Sequence, residues 1–261
     1  MIHSTAYVDK TAEVAADAEI GQMAYVGPRC IIHSGVKVGA KATVEVDTEV
    51  GEGTYVYPNA HIGGDPQDVS YRGEPSKLII GKRNKIREFV TMHRATNKED
   101  GTTVVGDDNL FMAYVCISHD CKIGSRTIMA NCATLAGHVH VADDAVISGL
   151  IGIHQFVHIG ELAMVAALSR ISKDVPPYCT VLHNNIVSMN TIGLRRHGVD
   201  EHARAELKKA FEIFIDKNIL VKDLPSRFAE LEQTREVKVF SDFVTQSKRS
   251  VIRNFGRPLD L

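Results

Sequence analysis

The sequence predicts an all-β solenoid, a parallel β-helix of six-residue repeats, followed by a small C-terminal helical domain. Aliphatic residues recur at every sixth position over long stretches, and a small or β-branched residue follows most of them four positions later. After Gly198 the apolar spacing becomes that of an amphipathic helix. An α-helix repeats every 3.6 residues and a strand every two, so neither alone explains a strict period of six.

The repeats form three runs, separated by two interruptions, and the last run starts with a phase change of one residue. A triangular coil explains the period, because each of its three faces points one aliphatic residue inward. Successive coils should stack at about 4.8 Å, the usual spacing between strands, and bury a continuous aliphatic column. The aliphatic positions are Ile2, Val8, Val14, Ile20, Val26, Ile32, Val38, Val44, Val50, Val56 and Ile62, then Ile80, Ile86 and Met92, then Val105, Phe111, Ile117, Ile123, Met129, Leu135, Val141, Ile147, Ile153, Ile159, Val165 and Ile171.

Glycine often follows the aliphatic residue directly, as at Gly21, Gly39 and Gly51. We expect it there because glycine tolerates the backbone angles of a tight corner. The two interruptions of the period predict loops that leave the prism, near 63–79 and 97–104. The β-helix is therefore predicted over residues 1–190.

Residues 191–261 are predicted to form the helical domain. Asp200 is a candidate N-cap, and Pro225 is suited to the first turn of a further helix. Apolar residues spaced for helix faces are Ala203, Leu207, Ala210, Phe211 and Phe214, and then Val237, Phe240 and Val244.

Composition narrows the functional class. The chain has 261 residues, a net charge of −2 and no tryptophan, which gives no indication of a nucleic-acid partner. No stretch approaches 18 uninterrupted apolar residues, so no transmembrane segment is expected. The first residues, MIHSTAYVDK, lack the basic and apolar regions of a secretory signal, and a cytoplasmic protein is expected.

The five cysteines are odd in number and contain no CxxC pair, which argues against a disulfide framework. Cys116, His119 and Cys121 lie close enough in sequence to suggest a metal site. Reduced thiols packed in or on a wall are the favoured interpretation, because the spacing is not that of a zinc motif.

Histidines cluster on successive coils between residues 116 and 155. A coil contains about 18 residues, so His119, His138 and His154 are spaced to line one strip of the surface. Three functions fit such a strip. A neutral imidazole could take a proton from an acceptor hydroxyl during acyl transfer, histidines of adjacent coils could bind a metal, or the coils could be a scaffold without catalytic activity.

Several segments resemble the UDP-N-acetylglucosamine O-acyltransferase family, which opens lipid A synthesis. They are DPQDVSYRGEPSK in the first loop, IREFVTMHRAT, ISHDCKIGSR, NCATLAGHVHVADDA, and IHQFVHIGELAMV followed by KDVPPY. The resemblance covers the whole chain, and these segments in this order are specific. It implies left-handed coils, a homotrimer with sites between subunits, and no metal or cofactor. It also implies transfer of a (3R)-3-hydroxyacyl chain from acyl carrier protein to the sugar 3-hydroxyl.

The resemblance also implies roles for individual residues. His119 corresponds to the general base, Asp120 to a residue that positions or polarises the site, and the Gly137 N–H to the oxyanion donor. Ala167 corresponds to the residue that ends the acyl groove. Positions that correspond to substrate-binding residues are Asp68, His138, His154, Gln155, Asn190 and Arg196.

Four positions depart from the family pattern. Ser70 stands where a lysine is frequent, Cys116 replaces a histidine, Ile192 replaces an acidic residue, and His197 replaces the second arginine of a pair. An acceptor sugar with an amine at position 3, which would give an amide, therefore stays open. For His93 the sequence does not distinguish a wall residue from one that supports the site.

Two other kinds of β-helix enzyme are alternatives. The N-acyltransferase that acts later in the same pathway carries a domain before its repeats, whereas here the repeats begin at Ile2. A metal-dependent β-helix enzyme of the carbonic anhydrase type predicts a His-x-x-x-x-His pair within one coil, and the repeats contain none.

Overall fold

A computed structural model describes residues 1–256. Within these residues, short strands form three sheets, and one strand from each sheet makes one triangular coil. Except for the last two strands of the third sheet, neighbouring strands in a sheet are three strands apart along the chain, which is the order expected when a chain winds around a prism. The predicted solenoid of six-residue repeats is confirmed. Residues 257–261, the end of the predicted helical domain, lie outside the described part.

The first sheet has nine parallel strands. They are Tyr7–Val8, Tyr25–Val26, Thr43–Val44, His61–Gly64, Thr91–His93, Cys116–Ile117, Thr134–Leu135, Gly152–Ile153 and Arg170–Ile171.

The second sheet has eight parallel strands. They are Glu13–Val14, Ile31–Ile32, Thr48–Val50, Lys77–Ile80, Thr102–Val105, Lys122–Ile123, His140–Val141 and His158–Ile159.

The third sheet has ten strands, of which the last pairs antiparallel with its neighbour. They are Glu19–Ile20, Lys37–Val38, Tyr55–Val56, Lys85–Ile86, Leu110–Phe111, Ile128–Met129, Val146–Ile147, Met164–Val165, Cys179–Leu182 and Asn185–Met189.

The aliphatic residue of each strand points into the prism and stacks on the corresponding residue of the next coil. Val26 pairs with Val44 and Val44 with Ile62, and all three side chains are 0% exposed. Ile2, the first of the predicted series, is 52% exposed, because it pairs with a neighbouring coil on one side only. The core is thus the continuous aliphatic column that the period predicts.

The corners of the prism require left-handed backbone angles, but glycine rarely supplies them. Twenty non-glycine residues among those described have positive φ, and they recur at the second residue of the corner turns. Gly21, Gly39 and Gly51 do not have positive φ. A Cβ added at these positions would lie 2.5–2.8 Å from backbone atoms of the next coil. Our expected reason for these glycines is wrong, since close approach between coils requires them.

The two loops are inserted between consecutive strands, at the corner where the chain passes from the first sheet to the second. The chain leaves the prism between Gly64 and Lys77 and again between His93 and Thr102. Residues 63–64, 77–79 and 102–104 were expected in loops but lie in strands. The reason is that the residues flanking the two loops pair with one another, Lys77 with Thr102 and Leu78 with Thr103.

The helices follow the last strand. They are α1 (Thr191–Arg196), α2 (Glu201–Ile215), a 3₁₀ helix (Val221–Asp223), α3 (Leu224–Ala229) and α4 (Arg235–Gln246). Asp200 caps α2, with its carboxylate 2.8 Å from the Ala203 N–H, and Pro225 lies in the first turn of α3, both as predicted. The predicted apolar faces of α2 and α4 are buried. Helix α1 was not predicted.

The helices and the coils share one hydrophobic core. Leu194 and Phe214 belong to the same buried cluster as the aliphatic column, and the segment after α4 returns to the coils through Val251 and Phe255. The division into two domains at residue 190 therefore stays a prediction. Among the described residues, no helix has the length and apolar character needed to cross a membrane.

Replacing Gly51 by Ala tests the role of glycine between coils. The new Cβ would lie 2.5 Å from the Gly81 carbonyl, so we expect a loss of about 1–3 kcal/mol in the free energy of unfolding. Gly152→Ala is the matched control, because nothing lies within 4 Å of its Cβ, and it should change stability by less than about 0.5 kcal/mol. Equal losses in urea denaturation of the two variants would contradict this explanation.

Candidate active site

One corner of the prism, between the first and second sheets, carries most of the predicted site residues. His119 and Asp120 form the turn after strand Cys116–Ile117, and Gly137 and His138 form the same turn one coil later. The strands preceding the two turns are in register, and the His138 N–H donates to the His119 carbonyl at 3.0 Å. The 18-residue repeat therefore stacks these four residues.

His119 and Asp120 form a buried pair. The Nδ1 of His119 lies 2.7 Å from the Oδ2 of Asp120, and the side chain of Thr96 donates to the same carboxylate at 2.8 Å. Burial opposes ionisation of Asp120, but the hydrogen bonds from His119 and Thr96 outweigh it and lower its pKa. An ionised Asp120 accepts the Nδ1 proton of His119. The Nε2 of His119 is then the basic nitrogen.

Gly137 lies against the His119 ring. A Cβ at position 137 would be 2.4 Å from Cε1 and 2.7 Å from Nε2 of His119, so any side chain there would displace the imidazole. The Gly137 N–H donates to no backbone oxygen of residues 1–256. A backbone donor and a basic nitrogen are thus adjacent, as a reaction that builds negative charge on an oxygen requires.

Asp68 reaches this corner from the first loop. Its Oδ2 lies 3.9 Å from the Nε2 of His119 and accepts from the Nζ of Lys98 at 2.6 Å. The N–H and the hydroxyl of Ser70 donate to its Oδ1 at 2.7 and 2.6 Å. The hydrogen bonds from Lys98 and Ser70 hold the pKa of Asp68 well below its usual range. Asp68 is therefore ionised beside the basic nitrogen.

His138 is buried beside His119, with ring centroids 5.2 Å apart and perpendicular planes. Its Nδ1 lies 2.8 Å from Oε1 of Glu99, and its ring stacks on Phe156 at 4.4 Å. His138 is thus fixed by the second loop on one side and by the following coil on the other.

His154 and Gln155 are exposed on the next coil. Of the three histidines of the predicted strip, His119 and His138 have their rings in contact, whereas no hydrogen bond or ring contact joins His154 to either of them. The Nδ1 of His154 lies 3.2 Å from the Gln155 carbonyl. The register explains this difference, because strand Gly152–Ile153 pairs with Thr134–Leu135, which places Gln155 rather than His154 above Gly137.

Asn190 and Arg196 lie in the helical part. Asn190 caps α1, accepting from the Gly193 N–H and donating to the Leu162 carbonyl, both at 2.9 Å. Arg196 is exposed in the last turn of α1, and its side chain makes no hydrogen bond or ion pair within residues 1–256. Neither residue contacts His119 in this chain, and their predicted role in substrate binding stays a prediction.

Ala167 lies at a different corner, between the third and first sheets, in an exposed turn. The next residue, Leu168, is 68% exposed, and Leu150 and Tyr114 at the same corner of preceding coils are 62% and 56% exposed. A single chain therefore has an apolar ridge at this corner, away from the corner that carries His119.

The departures from the family pattern lie at different places in the structure, and Ser70 is the one that contacts Asp68 beside His119. Cys116 is half-buried on the first sheet, in register with Thr91 and Thr134, and Ile192 is 63% exposed on α1. His197 has its Nε2 3.4 Å from a carboxylate oxygen of Asp144.

Two further observations concern side-chain chemistry. His93 is buried, and its Nδ1 donates to the Asp65 carbonyl at 2.8 Å, so it supports the first loop. All five cysteines are unpaired, as predicted, and burial raises the pKa of the Cys121 thiol to about 12.

Sequence reasoning missed four contacts of the site. Thr96, Lys98 and Glu99 come from the second loop, and Phe156 supports His138. The sequence predicts the second loop only as an interruption of the period, although the charged run NKED within it indicates ion pairs.

In the described part of the chain, two groups of side chains have the spacing of metal ligands. Ligand atoms of His119, Asp120 and His138 lie within 4.8 Å of one another, and so do those of His202, Glu206 and Glu232. The first group is already joined by the short hydrogen bond between His119 and Asp120. That the protein needs no metal and no cofactor stays a prediction.

Two family models match the chain. Residues 174–252 match the second domain of UDP-N-acetylglucosamine O-acyltransferases, and residues 102–137 match the bacterial transferase hexapeptide repeat. Among solved structures, a UDP-N-acetylglucosamine acyltransferase from Bacteroides fragilis has a TM-score of 0.93 and 33% identity, over 97% of this chain and 100% of that one. The enzyme of the same name from Campylobacter jejuni has a TM-score of 0.91 and 36% identity, over 98% and 100%. The coils are therefore those of a left-handed β-helix.

Curated relatives agree with these structures. An acyl-[acyl-carrier-protein]–UDP-N-acetylglucosamine O-acyltransferase of Gloeothece citriformis is 44% identical over 72% of this chain and 68% of its own length. A protein of the same name from Burkholderia mallei is 40% identical over 74% and 77%. Together with the buried His119–Asp120 pair beside Gly137, these similarities show that the chain is an acyltransferase and belongs to the acyl-[acyl-carrier-protein]–UDP-N-acetylglucosamine O-acyltransferase family.

Proposed function

We propose that this acyltransferase moves a (3R)-3-hydroxyacyl chain from acyl carrier protein to the 3-position of the glucosamine of UDP-N-acetylglucosamine, the first step of lipid A biosynthesis. The observation that supports it best is the position of His119, held through Nδ1 by Asp120 with Nε2 beside Gly137. The donor and the acceptor are those in the names of the relatives.

His119 acts as the general base in this proposal. Its Nε2 takes the proton of the sugar 3-hydroxyl while the oxygen attacks the thioester carbonyl. The resulting oxyanion accepts from the Gly137 N–H, and Asp120 stabilises the imidazolium that has formed. When the tetrahedral intermediate collapses, the C–S bond breaks and the imidazolium returns its proton to the departing thiolate. The products are an ester and a free carrier thiol. An acceptor with a 3-amino group would follow the same steps to an amide.

The sugar nucleotide is bound, in this proposal, by Asp68, His138, His154 and Gln155 on the coils and by the helical part. Arg196 is exposed and has no ion pair within residues 1–256, and it suits a diphosphate because a guanidinium offers several donors in one plane. Asn190 would act through the α1 terminus that it caps.

A matrix of donors and acceptors tests the proposed reaction. Acyl-carrier-protein substrates of several chain lengths are combined with UDP-N-acetylglucosamine and with its 3-amino analogue, and product is followed by mass spectrometry. We expect turnover with at least one of the two acceptors. The changes at Ser70, Cys116, Ile192 and His197 make the choice between them open. No turnover with any combination would overturn the proposal.

A cytoplasmic location also stays a prediction.

Replacing His119 by Ala should lower kcat by about 10²–10⁴, the usual contribution of one general base. The wild-type rate should fall as acid protonates the imidazole, because only the neutral form accepts a proton. His33→Ala is the control and should retain wild-type kcat, because His33 is a half-buried histidine that pairs with Glu49 far along the coils from His119. If His119→Ala turns over within a few-fold of the wild type, another group is the base.

We further propose that the enzyme is a homotrimer with active sites between subunits. In one chain, His119 and Ala167 occupy different corners of the prism, and a neighbouring chain that packs its Ala167 corner beside His119 would bring both positions to one acyl chain. The exposed ridge of Tyr114, Leu150 and Leu168 offers an apolar surface for such a contact. Light scattering at assay concentration should give about three times the chain mass of 28.6 kDa, and a monomeric mass would contradict the proposal.

Ala167 is proposed to limit the acyl chain length. Each buried methylene contributes about 0.8 kcal/mol, whereas forcing a chain past a filled end costs roughly 1–3 kcal/mol. We expect a preference for chains of about 12 to 14 carbons on this volume argument. Ala167→Gly should shift the preference to longer chains and Ala167→Met to shorter ones in competition assays with mixed donors. An unchanged profile in both variants would place the end of the groove elsewhere.

A further inference from the structure

We propose that Lys98, in the second loop, is a positioning residue of this enzyme. Its ammonium group pairs with the Asp68 carboxylate and so compensates the negative charge beside Nε2 of His119. This compensation keeps the base neutral and ready to accept a proton. The inference rests on the proposed function in taking His119 as the base.

The Asp68 carboxylate lies between the lysine and the base. One oxygen, Oδ2, is 2.6 Å from the Nζ of Lys98 and 3.9 Å from the Nε2 of His119. The other oxygen is held by Ser70 through both its N–H and its hydroxyl. Because Ser70 holds the carboxylate independently, loss of Lys98 would leave the negative charge in place and without a cation.

The second loop is anchored on both sides of Lys98. Thr96 donates to the Asp120 carboxylate, and Asp100 accepts from the Nζ of Lys122 with both oxygens at 2.8 Å. Glu99, next to Lys98, lies 2.8 Å from His138. Since these contacts fix the loop, the pair between Lys98 and Asp68 does not have to order a free segment.

Two carboxylates lie beside the His119 imidazole. Asp120 faces Nδ1, and Asp68 faces Nε2, so an imidazolium would have a carboxylate at each nitrogen. Lys98 cancels the second of these. The titratable or charged side chains that surround His119 directly or through one neighbour are Asp120, Asp68, His138, Lys98 and Glu99.

The pH profile of Lys98→Met tests this role. An uncompensated carboxylate about 4 Å from the imidazole should move the acid limb of kcat up by about 0.5–1 pH unit. At pH values below the acid limb, the kcat of Lys98→Met should therefore be about 3–10-fold lower than that of the wild type. On the alkaline plateau the two kcat values should be equal. Lys98→Arg should restore the wild-type profile. Lys37→Met, which removes an exposed pair with Glu19 elsewhere on the coils, is the matched control and should leave the profile unchanged. A Lys98→Met deficit that is the same at every pH, or no deficit, would overturn the inference.

A second measurement does not depend on turnover. NMR titration of the His119 imidazole in ¹⁵N-histidine-labelled protein, assigned with His119→Ala, should show a midpoint 0.5–1 unit higher in Lys98→Met than in the wild type, by the same argument. Lys98→Gln provides the same comparison if the Met variant does not fold. An unchanged midpoint overturns the role of Lys98 even in an active enzyme. If the midpoint rises in Lys98→Met but the enzyme acylates neither sugar nucleotide, the role of Lys98 is supported and the proposed reaction is contradicted.

Discussion

The hydrogen bonds between stacked coils are the constraint on which the rest of this structure depends. Thr43, for example, donates to the Ala60 carbonyl of the next coil at 2.9 Å, and Thr134 to the Ile151 carbonyl at 2.8 Å. Because each strand of a coil pairs with a strand of the next coil, the extra residues of both loops leave between two consecutive strands, at a corner. Both loops are therefore expelled from the prism, and contacts such as Lys98 with Asp68 bring them together beside His119. The same stacking presses the His119 ring against Gly137.

The parts that the sequence predicted are those that this stacking determines. The period identified the buried column, and the spacing of His119 and Gly137 by one coil places them at the same corner. The loops could not be predicted in this way, because their conformation depends on pairs such as Asp68 with Lys98 that no period connects. The sequence also did not predict why position 51 must be glycine. Close approach to Gly81 is a property of two coils, whereas backbone preference is a property of one residue.

Residue roles implied by resemblance and contacts observed in the chain are different kinds of information. His119 and Asp120 have contacts that explain a base and its support. The side-chain amide of Asn190 accepts a hydrogen bond from the first turn of α1 and donates one to the Leu162 carbonyl. Within one chain its immediate function is therefore structural. Similarity between sequences could not distinguish these cases, because the same residue type suits a cap and a ligand contact.

The corners have a consequence for protein engineering. Exposed residues such as Met23 and Lys41 have φ near +55°, a conformation that costs an ordinary side chain roughly 1 kcal/mol and that asparagine adopts more readily. Within residues 1–256, twenty non-glycine residues have positive φ, and many of them are far in sequence from His119. The fold thus offers many separate positions at which thermal stability can be raised without altering the chemistry of the site.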